Sequence, residues 1–73
     1  MDRQHVISSN LRSVGYDEEN SVLEIEFNNG HVYQFSNVEQ SRYEALMAAQ
    51  SHGTYFDRNI KKKPAIYPCV KIK

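Results

Sequence analysis

Between Leu23 and Phe27 the apolar residues Leu23, Ile25 and Phe27 alternate with Glu24 and Glu26, and Asn28-Asn29-Gly30 follows at once. A period of two marks a strand with one face buried. The Asn-Asn-Gly sequence suits a three-residue hairpin loop, with Gly30 in the left-handed conformation that a β-carbon makes costly. His31 to Ser36 then supplies the returning strand. Closing the loop on Phe27 and His31 sets Ile25 opposite Tyr33 and Leu23 opposite Phe35, so the apolar groups gather on one face. The opposite face, Val22, Glu24, Glu26, Val32 and Gln34, is expected to meet solvent.

The flanking segments extend this hairpin. Upstream, Leu11 to Tyr16 reads as a further strand whose apolar Leu11 and Val14 differ in parity, which predicts a bulge or bend, placed at Gly15. Asp17 to Ser21 is a turn. Downstream, Ser36 and Glu39 have the spacing of a capping box, and Tyr43, Leu46 and Met47 form an apolar stripe at helical spacing, with Gly53 as the stop. Thr54 to Ile60 predicts a second short helix, with Phe56 and Ile60 one turn apart. Beyond it, Val70 and Ile72 alternate like an edge strand. The expected fold is α+β, a three-stranded antiparallel sheet in the order β-β-β-α-α, covered on one face by two helices. A chain of 73 residues makes one domain, residues 1–73, with 61–73 as a basic extended tail.

Taken in order, these residues resemble the KTSC domain, a short bacterial module named for the C-terminal extension of some lysyl-tRNA synthetases and also found as a stand-alone protein. The resemblance rests on Ser8-Ser9-Asn10-Leu11, Val14-Gly15-Tyr16-Asp17, the Leu23, Ile25, Phe27 and Asn29-Gly30 hairpin, and the Tyr33/Phe35 pair. Tyr43 to Ala49, Ser51, Gly53, Tyr55-Phe56 and Ile60 complete it. The family often opens its first helix with a proline where Glu39 stands here, and its Arg- and Tyr-rich finish is replaced by lysines, Ala65, Ile66 and Cys69. The resemblance implies a fold and suggests RNA binding; it implies no enzymatic activity.

Charge is divided along the chain, and its basic end can attract a phosphate backbone, fold back on the acidic body or stay solvated. All nine acidic residues lie between Asp2 and Asp57 with only Arg3, Arg12 and Arg42 among them, whereas Arg58 to Lys73 holds six cations and no acid. Arg58, Lys61, Lys62 and Lys63 with Tyr55 and Tyr67 form the one basic stretch with interleaved aromatics, a combination that suits a single strand of nucleic acid. Those six residues are the candidate site for RNA, including tRNA. The alternative is a protein-interaction module using the acidic sheet face, a sheet edge or the lysine tail, with a homodimer as its self-pairing form. Tyr33 and Phe35 are expected in the core.

Other chemistry finds little footing. His5, His31, His52 and the single Cys69 have no metal-ligand spacing, no phosphate-cradling glycine loop is present, and Ser8, Ser9 and His52 form no recognisable nucleophile and base. Glu24 and Glu26, read as a solvated pair, lack the apolar pocket that would tune a catalytic acid. The expectation is a non-enzymatic protein without metal or cofactor. One cysteine, no signal peptide and no apolar run long enough for a membrane span predict a cytoplasmic location.

Overall fold

A computed structural model describes residues 1–73. Five strands, rather than the three expected, form one antiparallel sheet: β1 (Arg3–His5), β2 (Leu11–Asp17), β3 (Val22–Phe27), β4 (Val32–Phe35) and β5 (Cys69–Lys71), in the spatial order β1-β2-β3-β4-β5. Helices α1 (Gln40–Ala48) and α2 (His52–Phe56) lie between β4 and β5, and α2 continues into a π-helical turn, Asp57–Lys61. The central hairpin has the expected register. Phe27 and His31 close the loop at 2.9 Å, Gly30 takes φ +90°, and Ile25 faces Tyr33 while Leu23 faces Phe35.

The bulge lies at Arg12, three residues before Gly15. The ladder shifts between Leu11 and Ser13, so Arg12 is the extra residue, and the shift lets both Leu11 and Val14 enter the core despite their parity. Leu11, Val14, Leu23, Ile25 and Phe35 from the sheet meet Leu46, Phe56 and Ile60 from the helices in one cluster that Val38 and Tyr67 complete. Phe56 packs edge-on against Phe27 and Phe35 at 5.7 and 5.2 Å, and Tyr16 stacks on Tyr43 at 4.6 Å.

The outer face of the sheet is less open than its sequence suggests. Register places Arg3, Gly15, Glu24, Gln34 and Val70 in one row across the five strands. Gly15 carries no side chain, so the Arg3 chain crosses β2 and its guanidinium binds the Glu24 carboxylate. Gln34 donates to the same carboxylate at 2.9 Å, Arg3 Nε donates to Ser13 Oγ at 3.0 Å, and Ser13 donates to Glu26 at 2.8 Å. Glu24 is consequently only 4 % exposed, not solvated. Val32 is buried too, because Ile72 and Lys73 run beside it and pair with its backbone.

Helix boundaries also differ from the expected ones. No capping box forms before α1: the Ser36 N–H is already committed to the Pro68 carbonyl at 2.8 Å, and Glu39, now the N-cap, makes no side-chain cap. Gly53 does not stop a helix. It lies buried inside α2, where a β-carbon would collide with the Asn10 side chain, while Ser51 caps α2 by accepting from the Thr54 N–H at 3.3 Å.

Nor is 61–73 an extended tail. Lys61 ends the π-helical turn, Ile66 and Tyr67 donate back to the Lys63 carbonyl, and Cys69–Lys71 pairs with β4. The physical cause is Tyr67, an aromatic that finds a site in the core and carries the chain back to the sheet.

Candidate functional site

The six residues singled out from the sequence divide into two groups. Arg58, Lys61, Lys62 and Lys63 are exposed along the end of the second helix and the turn after it. Lys62 reaches Asp57 at 3.3 Å, whereas Arg58, Lys61 and Lys63 enter no ion pair within the protein. Arg58 and Lys62 flank a polar groove completed by Ser9, Asn10, Gly53, Thr54 and Asp57. Four cations within residues 58–63 make a basic ridge along the chain, of which Arg58 and Lys62 face this groove and Lys61 lines a different cleft.

Tyr55 and Tyr67 instead turn their hydroxyls to Arg42. The Arg42 guanidinium donates to the Tyr55 hydroxyl at 3.1 Å and to the Tyr67 hydroxyl at 3.3 Å, and Tyr67 donates to Glu39 at 2.8 Å. Arg42 also lies 3.5 Å from Glu39. The two hydroxyls hold the guanidinium firmly in its charged form, with its pKa raised. Burial, helped by the bond to Glu39, pushes the Tyr67 phenol above its ordinary value. Tyr67 is 4 % exposed and offers no free face for stacking on this side. Arg42 escaped the sequence reading, although Glu39 and Arg42 stand at the i, i+3 spacing of a helical ion pair.

A further feature emerges only in three dimensions. The β3–β4 hairpin and the turn at Pro64 enclose a cleft of about 320 Å³, lined by Phe27, Asn29, His31, Tyr33, Phe35, Lys61, Pro64, Tyr67 and Cys69. Its walls are mainly aromatic and none of its residues is acidic. Phe35 is in the core as expected, but Tyr33 is half-buried and turns one side to this cleft. A mostly apolar recess with a few polar groups at its rim is the usual form of a small-ligand site. A wider recess of about 870 Å³ is lined by Met1, Asp2, Tyr16, Asp17, Glu18 and Glu19, and its carboxylates would repel a phosphate. No group of three or more His, Cys, Asp or Glu is placed to hold a metal ion, and no helix is long and apolar enough to cross a membrane.

Comparison with known proteins decides the lineage. The KTSC domain family matches residues 7–63, most of the chain. The chain belongs to the KTSC family. Its structure is similar to the crystal structure of a KTSC domain protein from Yersinia pestis, with a TM-score of 0.88 and 41 % identity, covering 99 % of this chain and 97 % of that one. An uncharacterised protein of Stutzerimonas stutzeri (strain A1501) is 41 % identical over 61 residues, 84 % of this chain and 86 % of its own. In this KTSC domain the ridge as far as Lys63 lies within the family match, while Pro64, Tyr67 and Cys69 of the cleft lie beyond it. The cleft combines hairpin residues with residues from the chain's last third, so no local motif could have disclosed it.

Proposed function

We propose that this KTSC domain is a small, non-enzymatic binding module for single-stranded RNA, including exposed strands of tRNA. The observation that carries the reading is the ridge of exposed cations, of which Arg58, Lys61 and Lys63 have no carboxylate partner in the protein. Unpaired cations at that density attract a phosphate backbone and release its counterions. Glu24 and Glu26 on the sheet's outer face, which would repel the strand, are occupied by Arg3 and Ser13. The location that suits this role is the cytoplasm.

Titration with an unstructured RNA and a tRNA at two salt concentrations tests it. If the four ridge cations meet phosphates of a single strand, log K falls against log salt with a slope of about −3. Replacing Lys61, Lys62 and Lys63 by Ala weakens binding and flattens that slope while the melting temperature stays near that of the parent. Binding indifferent to salt and to these lysines would overturn the reading.

A second reading draws on the fifth strand. Val70 and Ile72 are 60 % and 50 % exposed, and β5 is a sheet edge whose outward backbone groups are free to accept another strand. That arrangement favours a protein partner or a homodimer, and sedimentation of the parent against a Val70→Lys variant distinguishes it.

A further inference from the structure

We propose that the aromatic cleft seats one unpaired base of a bound RNA strand, lying against Tyr33, with the adjoining phosphate between Lys61 and Lys71. This rests on the RNA reading and assigns it a specific pocket. At about 320 Å³ the cleft is at the small end of ligand sites, a size suited to a single nucleotide rather than to a peptide segment. Phe27 meets Tyr33 edge-on at 5.7 Å and so braces the Tyr33 ring, while Pro64 supplies another apolar wall. The Tyr33 hydroxyl, unlike those of Tyr16, Tyr55 and Tyr67, makes no hydrogen bond within the protein.

Charge complementarity selects an anion. Lys61 lines the cleft, Lys71 stands directly opposite Tyr33 in the β4–β5 ladder, and neither is ion-paired. Asn29 accepts the His31 N–H through its side-chain oxygen at 3.0 Å, which leaves its amide nitrogen as a donor at the rim. A flat apolar wall, a polar donor at the edge, one cation in the lining and a second on the strand beside Tyr33 match a nucleotide, because every base has a face that stacks and a phosphate beside it.

Cys69, exposed at the cleft and the chain's one cysteine, is a built-in reporter. Its alkylation by iodoacetamide is timed with no addition, with a short unstructured RNA, with adenosine 5′-monophosphate and with ribose 5-phosphate. RNA and the mononucleotide slow the reaction, whereas ribose 5-phosphate leaves it unchanged. Tyr33→Leu lowers RNA affinity about five- to hundredfold, the worth of one base stacked on an aromatic ring, with the salt slope preserved. Should Tyr33→Leu fail to fold, as its melting curve would reveal, Cys69 protection in the parent decides alone. RNA that binds in a salt-dependent way without slowing Cys69 alkylation overturns the cleft and leaves the ridge standing. Protection by the mononucleotide without RNA binding overturns the strand as occupant, and binding of neither RNA nor mononucleotide overturns cleft and ridge together.

Discussion

Arg3 shows how much can depend on one side chain in a small domain. Its guanidinium binds Glu24 and Ser13 and lies 3.9 Å from Glu26, and it reaches them only because the position opposite, Gly15, is empty of side chain. Arg3 itself remains partly exposed, with 29 % of its side chain accessible, so its Coulombic contribution is screened. Glu24 is another matter: removal of its partner leaves a carboxylate, 4 % exposed, with Gln34 alone as donor. Arg3→Ala should therefore cost about 1 to 3 kcal/mol, the penalty for an under-satisfied buried polar group, and urea denaturation measures it. A loss within error of zero would mean that water reaches Glu24 freely once Arg3 is gone. None of this was legible in residues 3–5, because Arg-Gln-His has no apolar alternation; β1 is recognisable only by the strand it pairs with.

At the scale of elements, the hairpin was legible and the C-terminal segment only half so. Leu23, Ile25 and Phe27 carry a two-residue period and a turn of fixed length, so register followed from local sequence alone. The alternation of Val70 and Ile72 likewise marked a strand, but nothing local revealed that Tyr67 would be buried or that Glu39 would forgo a capping box for its hydroxyl. That hydroxyl pins the segment to α1, and its chemistry gives the attachment a pH limit. The folded-state pKa of Tyr67 lies above the ordinary value of 10.0, so the stabilisation is fully present below pH 10.0 and is lost as pH rises through the raised folded value. Thermal melting at increasing alkaline pH should show a decline in the parent that is shallower in Tyr67→Phe. Equal slopes in the two proteins would remove Tyr67 from the alkaline transition.

For the molecule as a whole, the site divides along the same line as the fold. The cations Arg58 to Lys63 could be read as a run because they are neighbours in sequence, whereas the cleft required Phe27, Tyr33 and Pro64 to be brought together by the sheet and the last turn. Tyr55 and Tyr67 looked like stacking surfaces because their sequence neighbourhood is basic, whereas their hydroxyls bind Arg42 and Tyr67 is buried. The order of strands in the sheet, identical to their order in the chain, reaches beyond the final structure into the path toward it. Three ladders close between sequence neighbours, which incur little loop entropy, while the β4–β5 ladder must wait for both helices to span the interval. In stopped-flow experiments a substitution in the central hairpin, such as Ile25→Val, should slow folding. One in the last strand, such as Val70→Ala, should mainly hasten unfolding, so that the closing strand governs how long the native state lasts rather than how quickly it is reached.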